Sequence, residues 1–363
     1  MAQSAVGRIL RSQRSNPLRI SIGTSSSQTR SYASRSIPTF TPTSSPELDE
    51  KLNRIREELF VPFGLPLRQR NLMFKTKLAD RLDEEQYTTA IGKDDEEFQL
   101  RPMHPLTRPT MKEAFETISL MKNTQDWKNI IPFLSGLKLS KRVVKDDRWE
   151  WIIRHATEAN ALGIMLEAAK QVDRTGFKLS SVGVVRRYYF ELHRWAAKNQ
   201  FSEPTVSKAF GFAKQAAELM EWPEHVVRDP DVDPKRRPFV IGTLLELSAA
   251  RALNQFDGKD EGGLVATYAN RLQGVWSLVD TSKEAPDWPT ADLRLQENVP
   301  ILNGINLALQ IKEIAGHKTI GSWLKQEKKK LGGSIQSLTS KAPENVKEKP
   351  TIGYQQTVLL RGK

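Results

Sequence analysis

Apolar residues recur every three to four positions from residue 110 onward, which is the spacing of one face of an α-helix. No convincing alternation of apolar and polar residues, typical of a half-buried strand, interrupts this pattern. Turn residues such as Asn160 and Gly176 separate the periodic segments where helical hairpins would turn. The pattern predicts an all-α fold. Its faces include Trp149, Ile152, Ile153 and Ala156, then Leu162, Met165, Leu166 and Ala169, then Val182, Val185, Tyr189, Leu192 and Ala196.

Two nearly identical pentapeptides, GLKLS at 136–140 and GFKLS at 176–180, indicate a repeated structural unit. Each closes a pattern of helix, turn and helix, the first from residue 110 and the second from residue 146. A two-helix hairpin cannot bury its apolar face alone, so neighbouring hairpins must stack, as they do in an α-solenoid. We therefore expect a helical-hairpin repeat of roughly five units between 110 and 331. An irregular helical bundle with a chance pentapeptide match is the alternative.

The first 46 residues have the composition of a mitochondrial transit peptide. They contain twelve serines and six arginines, and no acidic residue occurs before Glu47. The sequence Arg30-Ser31-Tyr32-Ala33-Ser34 resembles a matrix processing site, so we predict that residues 1–32 are removed by cleavage after Tyr32. A disordered basic tail without a targeting role is the alternative.

Proline, serine and charge patterns divide the rest of the chain. Residues 33–109 are interpreted as a linker and an N-terminal helical extension, which ends in a proline-rich stretch. Residues 110–331 form the predicted helical-repeat domain, which ends before Gly332 because glycine commonly terminates helices. Residues 332–363 are expected to be a flexible tail that cannot form a core alone and that orders on a partner.

Composition narrows the class of protein. The chain has 363 residues and a net charge of +12, and removal of the five arginines before the predicted cut leaves +7. This excess suits an RNA or ribosomal surface, although solubility alone would also explain it. The absence of cysteine excludes disulfides, thiolate metal sites and cysteine nucleophiles. The longest uncharged apolar stretch, 298–311, has 14 residues and is too short to span a membrane.

The stretch RWEWIIRHATEANALGIMLEAAKQVDRTGFKLS, residues 148–180, resembles a pentatricopeptide repeat. The resemblance covers one repeat, and its neighbours fit the pattern poorly. It rests on an early aromatic residue, a pair of apolar residues one turn later, a small-residue turn and a glycine that ends the second helix, which are Trp149, Ile152, Ile153 and Gly176.

Two departures from the family pattern limit what the resemblance implies. Leu179 stands near the place where the family commonly has proline. The position that reads a base in the family falls on Glu150 or Trp151, and neither is a small polar residue. The resemblance therefore implies contact with a protein or ribosomal RNA surface, and not base-by-base reading of a messenger RNA.

Three groups of basic residues are candidate contacts for RNA or another partner, because lysine and arginine bind phosphate regardless of sequence. The first lies between two predicted hairpins, where a solvated loop is an equally good interpretation. The second lies on the predicted helix 181–199, where Tyr188 and Trp195 would stack on bases or belong to the core. The third closes the last predicted helix, where cations also stabilise the helix dipole. The candidates are Lys138, Lys141, Arg142 and Lys145, then Arg187, Arg194 and Lys198, then Lys325, Lys328 and Lys329.

The motifs of common enzyme classes are absent from the sequence. It contains no P-loop, no dinucleotide-binding glycine pattern and no GxSxG elbow. Its five histidines include no pair at the spacing of metal ligands on a helix. We therefore predict no enzymatic activity, no cofactor and no metal.

These observations favour a scaffold of organelle gene expression in the mitochondrial matrix. The prediction is a mitochondrial ribosomal protein, or a factor associated with the mitochondrial ribosome or mitochondrial RNA, with other proteins as further partners. The principal alternative is a chaperone-like assembly factor for a respiratory chain complex, which would bind protein and not RNA. An unrecognised enzyme is the third possibility.

Overall fold

Helices make up most of the described chain, and the all-α class predicted from the periodicity of apolar residues is confirmed. The computed structural model describes residues 37–85, 87–91 and 96–361. The predicted transit peptide and its cleavage site after Tyr32 lie outside the described residues. All the described residues fall within one folded unit.

The first helix, α1, has the sequence features of a helix start. Pro46 occupies its first turn, where the missing N–H is not needed, and Glu47 and Asp49 lie near the positive end of the helix dipole. Leu48 and Leu52 are fully buried on its inner face. The elements of this region are α1 (Pro46–Ile55), a π-helical turn (Arg56–Phe60), α2 (Val61–Gly64), α3 (Leu67–Phe74), a 3-10 turn (Thr76–Leu78) and α4 (Ala79–Glu85).

The segment before α1 is tied to the body by hydrogen bonds over a long sequence distance. Thr41 N donates to Asn129 Oδ1 at 2.8 Å, and Ser44 N donates to Asp126 Oδ1 at 2.8 Å. Burial alone would raise the pKa of Asp126, but the hydrogen bonds from Ser44 and from backbone amides outweigh burial and lower it. Thr41 and Ser44 belong to the predicted N-terminal extension, and both are hydrogen-bonded to residues of the helical body.

A two-stranded antiparallel sheet lies between α4 and the helical body. β1 (Thr88–Ile91) pairs with β2 (Glu96–Gln99), with Thr88 opposite Gln99. Ile91 and Phe98 point into a small second core together with Met73. The sequence analysis gave no strand here because each strand has only four residues, too few for a reliable alternating pattern.

The helical body begins with a well-capped helix. In α5 the Thr110 side chain accepts from the amide of Glu113 at 3.3 Å, while the Glu113 carboxylate accepts from the amide of Thr110 at 2.6 Å. The helices of the body are α5 (Met111–Ser119), α6 (Thr124–Trp127), α7 (Ile130–Leu139), α8 (Asp146–Glu158), α9 (Leu162–Lys170), α10 (Val172–Thr175), α11 (Val182–Lys198), α12 (Thr205–Leu219), α13 (Pro238–Gln255), α14 (Leu264–Gly274), α15 (Trp288–Ala308), α16 (Lys312–Ala315), α17 (Ile320–Ser340), α18 (Glu344–Glu348) and α19 (Ile352–Arg361).

From α8 onward the longer helices form two packed rows. In the first row α8 contacts α11, α11 contacts α13, and α13 contacts α15. In the second row α9 contacts α12, and α14 contacts α17. The rows are joined because α8 packs on α9, α11 on α12, α13 on α14 and α15 on α17. The apolar side chains between the rows belong to one continuous core, which also includes α1.

α13 is the most enclosed helix of the first row. Fourteen of its 18 residues are buried, because α11, α12, α14 and α15 all pack against it. Its contact with α15 is close enough to require glycine on both helices. A Cβ on Gly304 would lie 2.9 Å from both the amide nitrogen of Glu246 and the carbonyl oxygen of Gly242. A Cβ on Gly242 would lie 2.5 Å from the Ile301 side chain.

The two pentapeptides do not mark equivalent positions. GLKLS forms the last turn of α7, where Gly136 packs against the ring of Phe60. GFKLS forms the non-helical connection between α10 and α11, and its Gly176 ends α10 in the left-handed conformation with φ of 74°. The alignment on these pentapeptides was therefore wrong, because five matching residues do not determine a backbone conformation that depends on tertiary contacts.

The expectation of a flexible tail after residue 331 is corrected by the structure. α17 continues through Gly332 and Gly333 to Ser340, since Leu331, Ile335 and Leu338 bury one of its faces. α19 then packs on α15 and α17. Gly333 does not end the helix because tertiary packing on both sides outweighs its weak helix propensity.

We predict that Gly304→Ala destabilises the protein by about 1–3 kcal/mol, because its methyl group would overlap the α13 backbone. The matched control is Gly333→Ala in α17, where a Cβ would meet nothing within 4 Å. That variant should be neutral or more stable by up to about 1 kcal/mol, because alanine favours the helix. Urea unfolding followed by circular dichroism measures both, and equal effects would contradict the close contact.

A buried histidine joins two connections of the fold. His225 Nδ1 accepts from the amide of Leu179 at 3.0 Å, which leaves the ring proton on Nε2, 3.1 Å from the carbonyl oxygen of Ala169. Burial lowers the pKa of His225 below its ordinary value of 6.5, although the hydrogen bond to Ala169 acts in the opposite direction. Protonation of Nδ1 would remove the bond from Leu179.

We predict that His225 makes the fold less stable at acidic pH. Its pKa is lower in the folded state, so the unfolded state takes up the proton first, and the stability that it contributes above pH 6.5 is lost as the pH falls below that value. The loss in free energy of unfolding between about pH 7.5 and pH 5.5 should be smaller in His225→Gln than in the wild-type protein. An unchanged pH dependence in His225→Gln would contradict this assignment.

Candidate nucleic-acid interface

The first predicted basic group lies at the end of α7 and in the loop before α8, and two of its members have structural contacts. Lys138 Nζ donates to the carbonyl oxygens of Val172 at 2.8 Å and Asp173 at 2.7 Å, so it ties α7 to α10. Arg142 is half-buried, and its guanidinium lies 3.5 Å from the carbonyl oxygen of Pro109. These two side chains are largely committed to the fold.

The other two members, Lys141 and Lys145, are exposed, and neither ammonium has a partner in the described part of the chain. Lys145 lines a groove of about 690 Å³ between α5 and α8. Lys112 and Arg148 line the same groove and are also exposed. The loop residue Val143, which is 80% exposed, forms part of its edge.

Aromatic residues lie in the groove between these cations. Phe115 of α5 and Trp151 of α8 are half-buried, and their ring centroids are 5.8 Å apart in an edge-to-face arrangement. The Arg148 guanidinium lies over the Phe115 ring at 5.1 Å. Cations next to partly exposed rings are the arrangement that proteins use to bind single-stranded nucleic acid. We define Lys112, Lys145, Arg148, Phe115 and Trp151 as the α5–α8 groove, and Lys141 lies in the loop before it.

Sequence reasoning found only part of this groove. It identified Lys145 and the neighbouring Lys141. It placed the base-reading position of the pentatricopeptide family on Glu150 or Trp151, and concluded that neither could serve as a standard base reader. It missed Lys112 and Phe115, because α5 precedes α8 by a whole hairpin and nothing in the local pattern shows that the two helices border one groove. The capping box of α5 fixed where that helix begins, but it did not show which face would lie beside α8.

The second predicted group is mostly part of the protein interior. Arg187 is almost fully buried, and it forms ion pairs with Glu191 at 3.4 Å and Glu150 at 4.0 Å. Arg194 donates to both carboxylate oxygens of Glu191 at 3.0 and 2.8 Å. Burial lowers the pKa of Arg187, while the charge of Glu191 raises it. Of this group, Lys198 alone has an exposed side chain.

The ion pairs continue from α11 to α15. Arg186 lies 4.0 Å from Glu150 and 3.5 Å from Glu297, so it bridges α8 and α15. Burial raises the pKa of Glu297, and the neighbouring Arg186 acts against that change. These arginines stabilise the packing of the first row, and removal of one partner would leave a buried charge unpaired.

The aromatic residues of the second group belong to the core or to packed pairs. Tyr188 is 1% exposed, and burial raises its pKa far above the ordinary value. Trp195 is half-buried and stacks on Phe212, with ring centroids 6.0 Å apart. Tyr188 is therefore not accessible to a base, and the Trp195 ring is partly covered by Phe212.

The third predicted group lies on the exposed side of α17. Lys325 Nζ donates to the carbonyl oxygen of Ala315 at 3.1 Å and thereby caps α16. Lys328 and Lys329 are exposed, and their ammonium groups have no partner among the described residues. Lys330 is paired with Glu327 at 2.7 Å. The predicted basic face of α17 is thus reduced to two free lysines.

The described part of the chain offers neither a cluster of metal ligands nor a membrane-spanning helix. Across residues 37–85, 87–91 and 96–361, no group of three or more histidine, aspartate or glutamate side chains could hold a metal ion. In the same ranges no helix combines the length and the apolar character needed to cross a bilayer.

Comparison with known proteins identifies the class. The sequence profile of the family described as mitochondrial ribosomal protein mS27 matches residues 24–359. A protein of Neurospora crassa named small ribosomal subunit protein mS27 is 28% identical over 280 residues, which cover 71% of this chain and 71% of that protein. The chain is therefore of the mitochondrial ribosomal protein class. Within that class it belongs to the mS27 family.

Family membership confirms the main functional prediction. A mitochondrial ribosomal protein, with the mitochondrial ribosome as its partner and the mitochondrial matrix as its location, is what the composition and the helical pattern indicated. The alternative of an assembly factor for a respiratory chain complex is not favoured. The ten candidate contact residues stay predictions, since family membership says nothing about individual side chains.

We predict that Trp151→Leu weakens binding of a labelled single-stranded oligouridine to the purified protein. Loss of one stacked base costs about 1–3 kcal/mol, so the dissociation constant should rise by about five-fold or more. The matched control is Trp222→Leu, since Trp222 is 45% exposed and lies outside the groove. Fluorescence anisotropy measures both variants. Equal affinities for the two variants would remove Trp151 from the interface.

Proposed function

We propose that this protein is a structural, non-enzymatic component of the small subunit of the mitochondrial ribosome, and that it contacts ribosomal RNA through the α5–α8 groove. The observation that carries the RNA contact is the unpartnered Lys145, which lines this groove together with the half-exposed rings of Phe115 and Trp151. The unpartnered Lys141 lies four residues before it in the same loop. Assignment to the small subunit follows the name of the Neurospora crassa relative.

Charge supports this choice of surface. An exposed lysine without a carboxylate partner attracts phosphate and releases counterions when it binds. Lys112 and Arg148 do have acidic neighbours, at 3.9 Å from Glu116 and 3.6 Å from Asp147, but such exposed pairs are weak. A phosphate could therefore replace these carboxylates at little cost.

The resemblance of residues 148–180 to a pentatricopeptide repeat supports the same groove. The position at which that family reads a base falls on Glu150 or Trp151, and Trp151 lines the groove. A tryptophan stacks on any base, whereas the small polar side chains of the family distinguish one base from another. We infer contact with an RNA surface that is independent of base identity.

Lys328 and Lys329 of α17 are a second proposed contact, and Lys198 is a third. All three are exposed and unpartnered among the described residues. Trp195 lines a groove with Lys198, but its ring stacks on Phe212, and Phe201, which lines a groove with Lys328, is buried. Contacts of this kind would add affinity through phosphate alone.

The double variant Lys141→Glu, Lys145→Glu tests the proposal. Mitochondrial lysate is separated on a density gradient at low and at higher salt, and the protein is followed through the fractions. We expect the wild-type protein to sediment with the small subunit, and the variant to leave it at lower salt, because two phosphate contacts become repulsive.

The control variant is Lys208→Glu, Lys259→Glu, which changes the same charge at exposed lysines on other elements. It should sediment as the wild-type protein does. If both double variants dissociate together, net charge and not the groove determines attachment. If the wild-type protein fails to sediment with the small subunit, the assignment to that subunit is wrong.

A further inference from the structure

A groove of about 710 Å³ lies in the second row of helices, between α12 and α14. Both helices pack on α13, and its residues Val240, Ile241 and Leu244 form the floor of the groove. Ala217 of α12 and Leu264 of α14 contribute apolar side chains to the two walls. None of the candidate contact residues discussed above lines this groove.

The length of the groove suits a short helix. Its α14 wall runs from Leu264 towards Val275, which is about 16 Å at the rise of an α-helix. That distance corresponds to about three turns of a second helix laid beside α14. A helix in this place would lie between α12 and α14, above the buried floor residues of α13.

The rim of the groove is basic. Four cations, Lys214, Lys235, Arg236 and Arg271, line it together with the carboxylates of Glu218 and Glu221. Lys235 is paired with Glu221 at 2.7 Å, and Lys214 lies 3.8 Å from Glu218. Arg236 and Arg271 have no carboxylate partner in the described part of the chain, and the Arg271 guanidinium lies 5.7 Å from the Tyr268 ring centroid.

We propose that this groove binds an amphipathic helix from a neighbouring protein of the ribosome, with its apolar face against the half-buried Ala217, Leu264 and Val275 and an acidic flank towards Arg236 and Arg271. The apolar lining gives nothing to a phosphate backbone, whereas it matches the apolar face of a docked helix. Arg236 and Arg271, which have no carboxylate partner in the described part of the chain, favour negatively charged residues on the flank of the docked helix. This inference rests on the proposed function, because the partner belongs to the same ribosome.

The absence of cysteine from the chain provides a specific probe. Thr267→Cys places a single thiol in the groove wall on α14, and Asn270→Cys places one on the exposed side of the same helix outside the groove. Each variant is first shown to sediment with the small subunit. Failure at this step counts against the proposed function, and the groove is tested only on variants that do sediment.

Maleimide labelling is then compared between the purified chain and the isolated ribosomal subunit. We expect the thiol of Thr267→Cys to react at least about ten-fold more slowly in the subunit, and the thiol of Asn270→Cys to react similarly in both. Unchanged labelling of Thr267→Cys in the subunit overturns the inference. Equal protection of both thiols also overturns it, because a helix seated in the groove would not cover Asn270.

A photoactivatable maleimide on Thr267→Cys identifies the occupant. A cross-link to a protein segment with apolar residues at helical spacing and acidic flanking residues supports the inference, whereas a cross-link to RNA overturns it. Adding Arg236→Glu and Arg271→Glu to Thr267→Cys should restore labelling in the subunit. The matched change Arg228→Glu, at an exposed arginine outside the groove, should leave the protection in place.

Discussion

The close contact between α13 and α15 is the constraint on which the rest of the fold depends. Gly242 and Gly304 allow the two helices to approach until a Cβ on either glycine would overlap atoms of the facing helix. Within the first row, α13 is then enclosed by α15 and also by α11, α12 and α14, which pack on it. A larger separation would open the continuous core at its centre, since most of α13 is buried there.

Some of the positively charged side chains have partners within the fold, and others are exposed and unpaired among the described residues. Arg186, Arg187 and Arg194 form ion pairs inside the first row, while Lys138 and Lys325 hold backbone carbonyls. These cations already have partners within the fold, although the sequence shows no difference between them and free lysines. In the proposed function, a small set of unpaired lysines contacts RNA. Neighbouring aromatic rings would add base stacking to the attraction between lysine and phosphate.

The sequence predicted the positions of the helices well, but it did not predict which helices pack against one another. The apolar spacing of α8, α9 and α11 appears in the structure, because burial of one helix face leaves a periodic pattern in the chain. The connections between helices have no periodic pattern of this kind, so the sequence did not predict their conformations. GLKLS and GFKLS take different conformations, and Gly333 lies inside a helix that tertiary packing stabilises. Lys145 could be predicted as a contact residue because its charge is visible in the sequence. Phe115 lies on another helix across the groove, and no local pattern connects it with Lys145.

The order of the contacts along the chain has a consequence for how an imported polypeptide reaches its final state. Most helices pack on helices nearby in sequence, so each hairpin can form soon after it emerges, as low contact order allows. The segment around Thr41 must wait, because its partner Asn129 lies 88 residues further along the chain. Likewise α19 closes on Asp292, which lies 62 residues before Tyr354. Folding of this protein in the matrix would therefore proceed from the middle outwards, and its two ends would be secured last.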